Sequence, residues 1–143
     1  MKTDTPQRYS TFTRRFHWLM AACYLIMFGT ALAWNVNENL TYLINVHRAV
    51  GILLLLMTLF RFVLAVKNFR HRPHNNTATR IGHLALYAAM FAVPASGMAQ
   101  QAEAAFGNAH GLLAFGLLLL VAGHVMMTVI HQCKGEKIWQ RMA

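Results

Sequence analysis

The chain has 143 residues, of which 57% are hydrophobic, and a formal charge of +9 with only four acidic residues. Its apolar residues form long continuous blocks, which excludes an ordinary water-soluble fold and favours one compact domain, residues 1–143, with lipid as its solvent. In a soluble protein, so basic a composition would indicate nucleic-acid binding. Here most of the basic residues lie between and beyond the apolar blocks, which suggests a different role.

Four apolar blocks are long enough to cross a bilayer as helices. They cover residues 16–34, 42–66, 81–100 and 109–130. Each is continuous, lacks the two-residue alternation of a membrane β-strand, and has about the 20 residues that a transmembrane helix needs. The first block has no cleavage pattern at its end, so we interpret it as a retained helix. Pro94 predicts a kink in the third. The predicted fold class is all-α, a four-transmembrane-helix bundle.

The lysines and arginines between and beyond these blocks fall on one side of the predicted membrane. The N-terminal arm, the second loop and the C-terminal tail carry Lys2, Arg8, Arg14, Arg15, Lys67, Arg70, Arg72, Arg80, Lys134, Lys137 and Arg141. The charged residues of the first and third loops are Glu38 and Glu103. By the positive-inside rule, the N- and C-termini are cytoplasmic and the short loops face outward. The basic side then faces anionic lipid at the cytoplasmic surface of the membrane, and no nucleic-acid partner is expected.

Histidines within the apolar blocks are the strongest functional signal. An ionisable side chain in a transmembrane helix is costly, so those present usually face the bundle interior and carry function. His110 and His124 lie fourteen residues apart on the fourth helix. This interval places them on nearly the same face and about 21 Å apart along the axis. His47 and Arg61 repeat the interval on the second helix, which runs in the same direction. We therefore expect His47 to face His110 near the outer surface.

Two facing imidazoles are what a low-spin b-type haem needs, with one ligand on each side of the macrocycle. The pair near the outer surface fits an outer haem. At the inner level His124 needs a partner on another helix. His17 on the first helix is the obvious candidate. Depth alone does not select the inner pair, because His131 matches the depth of His17 at least as well as His124 does, and His83 lies nearby. The chain has no CxxCH motif, so any haem is held non-covalently.

Two arginines and four glycines accompany these histidines. Arg48 and Arg61 are well placed to pair with haem propionates, because a guanidinium is a planar fork that matches a carboxylate. Gly51, Gly111, Gly116 and Gly123 either leave room for a porphyrin or allow close packing of helices.

The same residues resemble the bacterial cytochrome b561 family of four-helix, di-haem membrane cytochromes. The resemblance covers nearly the whole chain through the order and spacing of Tyr9-Ser10, Phe16-His17-Trp18-Leu19, His47-x3-Gly51-Ile52 with Arg61, Gly82-His83-Leu84, Pro94-x-Ser96-Gly97, and the His110/His124 pair followed by His131. It implies two haem b groups, with His17 and His124 on the inner one and His47 and His110 on the outer one.

Some members of this family are similar to superoxide oxidases, which implies an oxidoreductase. Electrons would pass from superoxide, or exchange with another periplasmic donor or acceptor, through both haems to ubiquinone. The third loop, residues 98–108, is shorter than in longer members, and the outer surface offers no clear positive funnel for an anion. A quinone site needs an apolar slot and polar groups that exchange protons. The cytoplasmic candidates are His83, Lys67, Arg80 and His131.

Two other functions fit parts of the pattern. A generic haem-b conduit, acting as a subunit of a partner oxidoreductase, needs the same four ligands but does not by itself reduce quinone with superoxide. In a histidine-based metal transporter, a zinc ion would instead be coordinated by His17, His83, His124 and His131. No Asp or Glu lies inside the four predicted spans, which argues against a divalent-cation pathway.

Overall fold

The computed structural model describes residues 9–67 and 77–135. In these ranges the chain forms four long helices, with one short 3-10 turn between the first two and another between the last two. The helices are α1 Thr11–Val36, α2 Leu43–Lys67, α3 Thr77–Gln101 and α4 His110–Cys133. Each is long and apolar enough to cross a membrane. The predicted all-α fold with four transmembrane helices is therefore confirmed.

Helix α1 begins before the predicted block because a polar cap, and not hydropathy, sets its start. The Ser10 backbone is extended, and its side chain accepts a hydrogen bond from the Thr13 amide at 3.2 Å. Such a cap satisfies an amide that has no partner within the first helical turn. Helix α3 likewise begins at Thr77, whereas the apolar block begins at residue 81. The blocks therefore locate the spans but miss their polar end turns.

Contacts between helices define two ends of the bundle. Where α1 starts and α2 finishes, the ring centres of Phe16 and Phe60 are 5.4 Å apart. At the opposite end Thr30 of α1 meets His47 of α2, with 3.1 Å between Oγ1 and Nδ1. We call the first the terminal end, since α1 and α3 begin and α2 and α4 finish there, and the second, which carries the two 3-10 turns, the loop end.

The basic side predicted from the sequence corresponds to the terminal end. Its described members are Arg14, Arg15, Lys67, Arg80 and Lys134. The others, together with two loop histidines, lie outside the described residues: Lys2, Arg8, Arg70, Arg72, Lys137, Arg141, His71 and His74. The cytoplasmic location of this end stays a prediction.

The protein core is small and lies mainly between α1 and α2. Met20, Cys23, Leu54 and Met57 form its buried cluster. Large apolar side chains instead point outward; Leu112 is 76% exposed. Such outward apolar surface is what a lipid bilayer covers, because the helical backbone bonds are satisfied internally and only side chains meet the hydrocarbon.

Helix α3 continues through Pro94 to Gln101 without interruption. Because proline has no amide proton, the Met90 carbonyl four residues earlier receives no hydrogen bond from position 94. The kink that Pro94 predicts stays a prediction. The helical turn around Pro94 is closely packed, with Ser96 fully buried and Val93 nearly so. This turn faces α4 and contributes to the site described next.

Candidate functional site

At the loop end, His47 of α2 and His110 of α4 face one another. Their ring centres are 6.4 Å apart and their planes are nearly perpendicular, at 89°. Both side chains are half-buried. His110 is the first residue of α4 and His47 lies in the first turns of α2, so both are carried by helices that start at this end. The structure thus brings together the pair that the sequence spacing predicted.

The His47 ring is held by α1. Its Nδ1 lies 3.1 Å from the Met27 carbonyl oxygen and 3.1 Å from the Thr30 hydroxyl. A carbonyl oxygen only accepts, so Nδ1 carries the proton and donates it. The Thr30 hydroxyl donates in turn to the Ile26 carbonyl at 2.7 Å, which leaves its lone pairs for the imidazole. With Nδ1 protonated, the lone pair of Nε2 is available for a metal.

The His110 ring is held by α3 in the same manner. Its Nδ1 lies 3.1 Å from the Val93 carbonyl oxygen and 3.0 Å from the Ser96 hydroxyl, which itself donates to Val93 at 2.8 Å. A Cβ at Gly97 would stand only 3.1 Å from the ring, so glycine provides the room that this orientation needs. Nε2 of His110 is therefore also available as a ligand atom.

At the terminal end, His124 of α4 meets two imidazoles. His17 of α1 lies 6.3 Å away between ring centres and His83 of α3 lies 5.7 Å away. His83 donates Nδ1–H to the Thr79 carbonyl one turn earlier, at 2.8 Å. His17 and His83 are thus both in ring contact with His124, and each is a candidate partner for it.

Arg61 is placed at the terminal end, where its charge acts on His17 and His124. Its guanidinium is half-buried, and the buried Nη1 has no hydrogen-bond partner among the described residues. An unpaired buried donor of a cation is costly and is satisfied best by an anion. Arg48 differs, because it is an exposed residue.

The predicted quinone residues all belong to the terminal end. His83 is in ring contact with His124. His131 lies seven residues beyond His124 and is half-buried on nearly the same face of α4. Lys67 and Arg80 are exposed near the end of α2 and the start of α3.

The four glycines separate into two groups. A Cβ at Gly51 would lie 3.3 Å from the Met27 side chain, so this glycine serves the packing of α2 on α1. A Cβ at Gly111, Gly116 or Gly123 would meet no atom within 4 Å in the described residues. Close helix packing therefore does not explain the glycines of α4.

Facing imidazoles suit an axially ligated metal better than a clustered one. A metal–imidazole bond is about 2.0 Å long, so two imidazoles on opposite sides of one metal have ring centres roughly 6 Å apart. The spacings of 6.4 Å and 6.3 Å lie near that value, and so does the 5.7 Å between His83 and His124. Among the described residues, no group of three or more His, Cys, Asp or Glu side chains is placed to hold a metal ion. The geometry fits haem and gives no support to the zinc-site alternative.

Sequence reasoning missed the residues that orient the loop-end pair. Thr30, Met27 and Val93 carry no motif of their own, and Ser96 was noted only within the segment after Pro94. Trp34 was also missed; its ring centre lies 5.0 Å from that of His47, edge to face. A buried hydroxyl in an apolar helix is the one signal that points to Thr30 and Ser96.

Four membrane-spanning helices that present imidazoles in facing pairs are the architecture of a membrane haem protein. The sequence profile described as prokaryotic cytochrome b561 matches residues 8–143. A curated relative, "Cytochrome b561 homolog 2" of Escherichia coli (strain K12), is 34% identical over 108 residues, covering 66% of this chain and 56% of that protein. This chain therefore spans little more than half the length of that relative. No solved structure matches the chain significantly.

The chain belongs to the prokaryotic cytochrome b561 family, which confirms the resemblance. Membership implies haem b binding, and the four candidate spans indicate a bacterial multi-pass membrane protein.

Proposed function

We propose that the chain transfers electrons across the membrane through two haem b groups, each held by two histidines. His47 and His110 would hold one at the loop end, and His17 and His124 the other at the terminal end. The observation that carries this proposal is the pair of imidazole spacings near 6.4 Å at opposite ends of the bundle. The 21 Å or so between His110 and His124 along α4 then separates the two levels.

The chain's own residues hold and tune these groups. Haem b supplies a reversible one-electron step when bound. Met27 with Thr30, and Val93 with Ser96, fix the tautomer and orientation of the loop-end imidazoles. Arg61 supplies a buried fork for a propionate carboxylate at the terminal end. Arg48 would serve a propionate at the loop end from a more exposed position.

For the substrates, the loop end would oxidise superoxide at the outer face of a bacterial inner membrane and the terminal end would reduce ubiquinone. Two superoxide anions give up one electron each and leave as dioxygen. One quinone gains both electrons and two protons and becomes the quinol. His83 and His131 would pass the protons to the quinone, and Lys67 and Arg80 would add positive charge to the quinone site at the cytoplasmic surface. The resemblance to superoxide oxidases supports this reading, and the terminal-end position of these residues is compatible with it.

A generic conduit that feeds a partner oxidoreductase is the second candidate, since it needs the same ligands. One experiment separates the two candidates. Superoxide and a soluble ubiquinone analogue are added to the purified, haem-loaded protein under anaerobic conditions. Quinol that forms in proportion to the protein supports the oxidoreductase. Haem reduction without quinol formation supports the conduit. A His131→Ala control distinguishes a lost quinone site from a lost electron path, because that variant should keep both haems but lose quinol formation.

The terminal-end pairing has its own test, because both His17 and His83 contact His124. We expect His17→Ala to lose one haem and His83→Ala to keep both, as measured by haem content per chain. The reverse result would make His83 the ligand and His17 its neighbour.

A further inference from the structure

The two imidazole pairs differ in what binds their second ring nitrogen. At the loop end both Nδ1–H groups donate to a carbonyl and a hydroxyl. At the terminal end no described residue forms a hydrogen bond with the ring of His17 or His124. The cation that acts on both of those rings is Arg61. The loop-end imidazoles therefore face hydrogen-bond acceptors, whereas the terminal-end imidazoles lie near a cation.

The loop-end arrangement occurs twice, on different helices. Met27 and Thr30 serve His47 from α1, while Val93 and Ser96 serve His110 from α3, and in each case the hydroxyl follows the carbonyl by three residues. Thr30 is 9% exposed and Ser96 is 0% exposed. Water is thus kept from these bonds, and a hydrogen bond in a low-dielectric interior is electrostatically stronger than one in water.

These surroundings act on bound iron in opposite directions. An imidazole that donates its N–H becomes a more basic ligand and favours the ferric state, which lowers the reduction potential. A nearby positive charge favours the reduced state, which has one positive charge fewer, and raises the potential. Both effects place the electron at the terminal end at equilibrium.

We propose that Thr30 and Ser96 are positioning residues that lower the potential of the loop-end haem, so that an electron entering at the loop end moves energetically downhill to the terminal end. The proposal rests on the proposed haem ligation. It assigns the direction of electron transfer to the hydroxyl–carbonyl pairs and Arg61. It does not depend on which molecule supplies the electron.

The test is a spectroscopic redox titration of the detergent-purified, haem-loaded protein and of Thr30→Val, Ser96→Ala and the double variant. We expect the wild type to show two potentials. In the double variant the lower one should rise, by about the 59 mV that a tenfold change in one-electron equilibrium represents. Thr30→Ser keeps the hydroxyl and should leave the potential near its wild-type value. Thr58→Val removes another fully buried hydroxyl, which forms no hydrogen bond with a histidine among the described residues, and is the matched control.

Haem content is measured first, because it tests the proposed ligation separately from the role of Thr30 and Ser96. A wild-type protein without two haems would contradict the proposed ligation itself. Two haems whose potentials do not move in any of the three test variants would overturn only the role of Thr30 and Ser96. If the double variant or one single variant loses the loop-end haem, the remaining single variant still reports the effect of a lost hydroxyl on the potential. A wild type whose loop-end haem, identified with His110→Ala, has the higher potential would overturn the direction.

Discussion

His110 begins α4, yet α3 determines where its imidazole points. Val93 and Ser96 bind Nδ1, and Gly97 leaves space for the ring. The sequence predicted His110 as a ligand because its interval to His124 matches helical periodicity. It did not predict Ser96 as the partner, because a contact between two helices has no periodic signature in either one.

Removing His110 tests the loop-end ligation. We expect His110→Ala to hold one haem per chain instead of two, because His47 alone provides one axial nitrogen while the terminal-end pair lies about 21 Å away along α4 and is undisturbed. The measurement is a pyridine haemochrome assay normalised to protein. His131→Ala removes another histidine of α4 and should retain two. A His110→Ala protein that keeps both haems would contradict the pairing.

Arg61 is the residue whose charge should set the potential of the terminal-end haem. Arg61→Leu removes a half-buried cation next to His17 and His124. The reduced haem then loses stabilisation on the order of 1 kcal/mol, so its midpoint potential should fall. Redox titration measures the change. Arg15→Leu removes an exposed charge from the same end and is the control. If Arg61→Leu and the wild type have the same midpoint potentials, Arg61 does not lie close to this haem.

Between elements, the connection from α3 to α4 depends on close backbone contact. Glu103 adopts a left-handed φ of 55° after α3, and Gly107 in the following 3-10 turn packs directly on the Gln100 backbone. The backbone here leaves no space for a Cβ at position 107. This turn sets where α4 starts, and so it sets the level of His110.

A side chain at position 107 should therefore destabilise the loop end. We expect Gly107→Val to cost about 1–3 kcal/mol through overpacking and to lower the temperature at which the loop-end haem is released, followed by its absorbance. Gly29→Ala is the control, since a Cβ there meets nothing within 4 Å and alanine favours a helix. A Gly107→Val protein as stable as Gly29→Ala would argue against the turn fixing α4.

Hydropathy predicted the four transmembrane helices but not the positions at which two of them start. All four spans were located correctly, since lipid exposure demands long apolar helices. The starts of α1 and α3 were not, because Ser10 and the polar residues around Thr77 extend the helices beyond the apolar blocks. His83 was predicted as a quinone residue, and its contact with His124 became visible only once α3 and α4 were placed side by side.

At the scale of the whole molecule, the predicted orientation can be tested with the native cysteines. Cys133 is exposed at the terminal end and Cys23 is buried in the core. If the terminal end is cytoplasmic, a membrane-impermeant maleimide should label inverted membrane vesicles and leave intact spheroplasts unlabelled. Cys133→Ser should abolish the signal. Labelling of intact spheroplasts that depends on Cys133 would reverse the topology.

Two levels of imidazoles across one four-helix bundle make the whole chain a candidate path for electrons from one membrane face to the other. The most direct test is haem b per chain in the detergent-purified protein, measured by pyridine haemochrome together with a dithionite-reduced minus oxidised spectrum. Two haems per chain with a sharp b-type alpha band are expected. A preparation that stays colourless after expression with ample haem, or that holds one haem unaffected by His47→Ala and His110→Ala, would contradict the two-haem path.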